Sequence, residues 1–141
     1  MHYQPNWIQL QTRSFAISTE STSVSSLIVK SQSPTCILQA HPDYITVTSS
    51  GMYRIISSVV VNVMDELSVL TSEIVISDSD PDVGNISSTV NNGNVPATAT
   101  SNINIIRQIH AEQTVSLSVG ASAIEPGVSS AFITLSIEQL F

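Results

Sequence analysis

Positive charge is nearly missing from this sequence: Arg13, Lys30, Arg54 and Arg107 stand against eleven carboxylates, for a formal net charge of −7 over 141 residues. Four scattered cations cannot neutralise a run of phosphates, which excludes nucleic acid and anionic membrane surfaces as partners. A lone cysteine, Cys36, rules out an internal disulfide, and its setting between Thr35 and Ile37 reads as a buried small hydrophobe. Five glycines exclude collagen triplets, which require one at every third position. No apolar run exceeds three residues, as in Val59-Val60-Val61, whereas a spanning helix needs roughly 18. The start, Met1-His2-Tyr3-Gln4-Pro5-Asn6, is polar and carries no secretory leader pattern.

What the chain does have is β-branched and hydroxylated. Val and Ile make up roughly a fifth of it and Ser and Thr roughly a quarter, a pairing suited to half-buried pleated surfaces and too apolar for disorder. Apolar and polar residues alternate with period two: Ile8, Leu10 and Thr12 against Trp7, Gln9 and Gln11, then Leu67, Val69 and Thr71 against Ser68, Leu70 and Ser72. Further strands are read over Val24 to Lys30, Thr35 to Ala40, Tyr44 to Thr48, Gly51 to Met64, Ser72 to Ser77, Ile103 to His110, Thr114 to Val119 and Ala131 to Leu140. Turn-formers separate them at Ser33-Pro34, His41-Pro42-Asp43, Ser49-Ser50-Gly51 and Glu125-Pro126-Gly127. Asp78 to Gly84 and Asn91 to Ser101 read as long surface loops. About ten antiparallel strands in one domain over residues 1–141 predict an all-β sandwich.

Several strands are apolar on both faces. In Gly51 to Met64, Tyr53, Ile55, Val59, Val61 and Val63 share one side while Met52, Ile56, Val60 and Met64 occupy the other. A sheet with one face in the core and one in water does not look like this, so the pattern predicts a homo-oligomer.

The stretch Ile45-Thr46-Val47-Thr48-Ser49-Ser50-Gly51-Met52-Tyr53-Arg54-Ile55 resembles the Gly-x-Tyr-x-Phe signature of complement C1q-type globular heads. Ile105 to Val119 is similar to that family's strand, acidic turn and strand, with Ala111-Glu112 in place of a Gly-Asp turn, and Ala131 to Glu138 is similar to its closing strand. The likeness covers residues 35–141, with residues 1–20 as an N-terminal strand and arm. The poverty in aromatics looks most like the C-terminal domains of bacterial collagen-like spore-surface (exosporium) glycoproteins. The resemblance implies a jelly roll of the C1q/tumour-necrosis-factor type and a homotrimer. Ile45, Gly51, Tyr53 and Ile55 are its signature and core positions. Gly51 is expected to supply a positive-φ turn, after which Tyr53 places its ring in the sandwich and its hydroxyl at a polar edge.

On this reading the trimer forms through the sheet holding the N-terminal strand, Gly51 to Met64, Thr114 to Val119 and the C-terminal strand. Its axis is expected to be apolar, built from Met52, Ile56, Val60, Phe132 and Leu140, with roughly 1,000 Å² or more buried per contact. The implied function is a non-enzymatic structural or assembly module of a bacterial surface layer, on a spore or the extracellular surface, with itself and other surface-layer proteins as partners. The alternative is a trimeric recognition domain, the tip of a phage or cell-surface fibre, binding a saccharide or protein through its long loops.

Catalytic chemistry finds little support. There is no Gly-x-Ser-x-Gly elbow, and His2, His41 and His110 lack the spacing that places two metal ligands on one strand or helix. No cofactor is expected. Asp78, Asp80 and Asp82 form a weak candidate Ca²⁺ site, since alternate carboxylates suit oxygen coordination, but Pro81 restricts Asp80 and no glutamate follows at the twelfth position. Trp7 with Tyr3 is either a sugar-stacking platform or the anchor of the first strand.

Overall fold

The computed structural model describes residues 6–17, 22–63, 67–78, 82–83, 87–89, 97–122 and 130–141. These hold twelve strands and no helix: β1 (Trp7–Ala16), β2 (Thr22–Ser23), β3 (Ile28–Gln32), β4 (Gln39–Ala40), β5 (Ile45–Thr46), β6 (Gly51–Val63), β7 (Leu67–Ile76), β8 (Asp82–Val83), β9 (Ser87–Thr89), β10 (Ala97–Ile109), β11 (Thr114–Ser122) and β12 (Ser130–Gln139). All pairings are antiparallel. One sheet runs β10-β6-β12-β1-β3; the other runs β4-β5-β11-β7-β8, with β2 also on β11 and β9 on β7. From β6 onward the long strands change sheet at each step, β6 to β7, β9 to β10, β10 to β11 and β11 to β12. This is the wrapped connectivity expected of a jelly roll, one that closes both sheets over a single core.

Period-two alternation fills the core from both sides. The five-stranded sheet contributes Ile8, Leu10, Tyr53, Ile55, Val59, Val61, Ile103, Ile133, Leu135 and Ile137; the facing sheet contributes Ile45, Leu70, Ile74, Ile76, Val115, Leu117 and Val119. On β7 the inward set is Leu70, Ser72, Ile74 and Ile76, and Thr71 belongs to the outer side. Ser72 is tolerated inside because its hydroxyl lies 2.7 Å from that of Ser101 on the opposing sheet, a buried bond joining the two layers.

Several expectations are corrected. Thr114 to Val119 lies in the second sheet, between β5 and β7, and β10 occupies the place beside β6 that it was expected to share. Residues 97–101, expected in a loop, are the first part of β10, and Asp82–Val83 pairs with β7. Val24 to Leu27 is irregular because Ser26 takes a φ of 62°; Val24 and Leu27 are nonetheless buried. Thr35 sits in a turn closed by the Cys36 amide donating to the Ser33 carbonyl, so that stretch becomes ladder only at Gln39. Cys36 is half-buried against the core rather than enclosed by it.

Gly51 does not adopt a left-handed conformation. It is needed because the chain's last residues press against it: a Cβ there would stand 2.6 Å from the Phe141 carbonyl oxygen and 2.8 Å from Gln139 Nε2. The same contact is sewn by the Met52 amide donating to the Phe141 carbonyl and the Leu140 amide to the Met52 carbonyl. Asn6 completes this end of the sandwich, its Nδ2 donating to Gln139 Oε1 and its Oδ1 accepting from the Ile37 amide, both at 3.0 Å.

Candidate functional site

Tyr53, Ile55 and Ile45 are fully buried. The Tyr53 ring lies in the sandwich and its hydroxyl donates to the Ser49 carbonyl, tying β6 to the turn that precedes it. These residues build the core and expose no reactive atom. Among the described residues, the broad surfaces open to a partner are the outer faces of the two sheets.

Register fixes what the outer face of the five-stranded sheet presents. One row across it reads Phe132, Val60, Thr100; the next Gln11, Thr134, Ser58, Asn102; then Gln9, Ser136, Ile56, Asn104; then Trp7, Glu138, Arg54, Ile106. Leu140 and Met52 lie beyond, joined backbone to backbone. The face that carries the residues expected at the trimer axis is an apolar–polar mosaic. Phe132 and Val60 form one cross-strand patch, separated from Ile56 by the Ser58 row, about 13 Å along the strand, and Met52 with Leu140 forms another. Arg54 and Glu138 stand opposite each other in register, a complementary pair in sheet terms. Ile56, Phe132 and Ile106 are among the exposed large hydrophobics, with Ile28 and Val29 on β3 at the far edge. Trp7 is half-buried and held through its backbone by Ser33, which suits an anchor of β1; Tyr3 lies outside the described residues.

The outer face of the other sheet carries a concavity of about 430 Å³. Its rim comes from two tight turns. One is the β4–β5 hairpin, where the His41 amide donates to the Tyr44 carbonyl at 2.8 Å and Asp43 sits at the tip. The other is the β10–β11 turn, closed by the Gln113 amide donating to the His110 carbonyl. Glu112 in that turn has a φ of 76°, and its amide donates to the Val47 carbonyl at 2.7 Å. The floor includes Thr46 and Thr114, cross-strand partners, together with Ser116 and Tyr44. The Tyr44 ring is stacked on His41 at 4.3 Å between centroids.

Asp78 is exposed, in a turn with φ 63°. Asp80 lies outside the described residues and Asp82 falls in β8 with its side chain likewise outside the description. Among the described residues no three metal-ligating side chains converge, and no helix is long and apolar enough to cross a membrane.

No known family model matches the sequence, and no curated protein matches it. Solved structures do. The globular domain of zebrafish complement 1qA protein superposes with a TM-score of 0.67 at 10% identity, covering 98% of each chain. Murine APRIL at pH 5.0 gives 0.63 at 13% identity, over 97% of this chain and 100% of the other. PRD1 vertex protein P5 gives 0.67 at 13% identity, over 96% and 97%. The fold is thus an all-β jelly roll of the C1q/tumour-necrosis-factor type.

Proposed function

We propose that this chain is a non-enzymatic, homotrimeric C1q-like assembly module of a bacterial surface layer, associated with a spore. The observation that carries self-association is the outer face of the five-stranded sheet, where Ile56, Val60, Phe132, Met52 and Leu140 stand outside a core that is already closed. The distribution also speaks for a ring. Exposed apolar groups occupy both edges of the same sheet, Ile106 on β10 and Ile28 with Val29 on β3. Two unlike patches on one protomer suit a head-to-tail contact that closes by rotation, whereas a two-fold dimer needs one self-complementary patch. The resemblance of the signature residues to C1q-type heads supports three copies, and the poverty in aromatics beside the wealth of Ser, Thr, Val and Ile supports the spore-surface setting.

Solution mass by light scattering across dilution tests the assembly. The expected result is three times the 15.1 kDa chain, with Phe132→Glu and Ile56→Glu each shifting the mass toward one chain while the circular dichroism of the fold is retained. A single-chain mass at every concentration overturns it. The recognition reading is favoured by a separate observation, the concavity between Asp43 and Glu112 on the opposite sheet.

A further inference from the structure

The concavity on the β5–β11 face differs from an ordinary small-molecule pocket. At about 430 Å³ its size is in the range of such sites, yet its lining is hydroxyls, two carboxylates and a single aromatic ring. An apolar ligand would leave those polar groups desolvated and unpaired. A phosphate, uronate or other anion would meet Asp43 and Glu112 with no basic residue in the lining to offset them. What fits is an occupant rich in hydroxyl groups and neutral or positive in charge.

We propose that this concavity is a saccharide site that takes a neutral or amino-bearing pyranose. Carboxylates are acceptor-only groups with two oxygens each, suited to accepting from neighbouring hydroxyls of one ring. Thr46, Thr114 and Ser116 offer hydroxyls that both donate and accept, as sugar hydroxyls do. A lysine or arginine side chain, by contrast, only donates and would leave the floor's own donors without acceptors. Tyr44 adds an amphipathic ring whose apolar surface complements the C–H face of a pyranose, and its stack on His41 limits the rotamers it must give up on binding. Both carboxylates sit on tied turns: the Ala111 amide donates to Ser50 Oγ at 2.8 Å and Gln113 Nε2 to the Ser77 carbonyl at 2.6 Å, which fixes the backbone of Glu112 between them.

The site belongs to one chain and faces away from the sheet proposed for assembly, so it does not depend on the trimer. In a trimer it would be displayed three times, and a weak single-ring affinity would become useful avidity on a polysaccharide.

The test is saturation-transfer NMR on the purified chain with mannose, glucosamine and N-acetylglucosamine, alongside glucuronate and arginine amide. The expected result is transfer to at least one of the three neutral or amino sugars, none to glucuronate, and at least a tenfold loss in Asp43→Asn/Glu112→Gln. Amide shift perturbations at Thr46, Thr114 and Ser116 should mark the site, and Thr114→Val gives a second variant that keeps both carboxylates and should weaken the same signals. No transfer to any of the three sugars overturns the proposal. So does transfer that the variants leave unchanged, or binding of arginine amide alone, which would make the concavity a peptide contact. Mass measured on the same samples separates the two readings: a trimer without sugar binding sinks only the site, and a sugar-binding monomer sinks only the trimer.

Discussion

Three serines in the core show how a buried hydroxyl can serve opposite ends. Ser72 and Ser101 satisfy each other across the layers at 2.7 Å, whereas the hydroxyl of Ser57, fully buried on β6, has no hydrogen-bond partner. Ser72→Ala is expected to cost about 1–3 kcal/mol by depriving Ser101 of its cross-layer bond, and adding Ser101→Ala to recover part of that loss. Ser57→Ala removes an uncompensated hydroxyl and is expected to be neutral or stabilising; urea unfolding of the three variants measures all of this. Gly51 sets a different constraint. Because its missing Cβ leaves room for the Phe141 carbonyl, Gly51→Ala must displace the C-terminal strap, an expected loss of about 1–3 kcal/mol, read as a lower Tm. Its location before Tyr53 suggested a turn glycine. Sequence position alone does not distinguish a glycine that needs positive φ from one that needs absence, because the crowding residue is 90 positions away.

At the scale of elements, the long strands were legible and the short ones were not. Residues 53–61 and 131–138 follow period-two burial without interruption, because each strand pairs on both sides along most of its length. The edge of β11 is instead met in turn by β2 and β5, each two residues long, and such ladders are set by backbone bonds to distant turns. Val47 is an instance: it is fully buried just past β5, and its amide donates to the Gln113 carbonyl one position beyond the last paired residues of β5 and β11. Membership of a sheet was equally hidden. Thr114 to Val119 alternates as β6 does, and nothing local says which layer it joins. The concavity escaped for the same reason, since Asp43 and Glu112 come from separate turns and are brought together by the pairing of Thr46 with Thr114. One trace was present in the sequence, a glutamate where C1q-type turns carry a different pair, and the structure gives that glutamate a left-handed backbone at the pocket rim.

For the molecule as a whole, the proposed assembly makes stability depend on concentration. A chain that hides Ile56, Val60 and Phe132 only against its copies is stabilised by mass action, so its Tm is expected to rise with protein concentration, and differential scanning over a hundredfold dilution checks it. A Tm independent of concentration, with a monomeric mass, would show that the mosaic face is content in water. The mixed character of that face bears on the result: Ser58, Thr134 and Gln9 lie between its apolar patches, so any interface there must pair hydroxyls and amides as well as exclude water.

The tie between Asn6, Gln139 and Phe141 puts both ends of the fold at one place, on the neighbouring antiparallel strands β1 and β12 and the start of β6. A load that pulls those two ends apart acts across the ladder, so the bonds from Trp7 and Glu138 onward would open one after another, like a zipper.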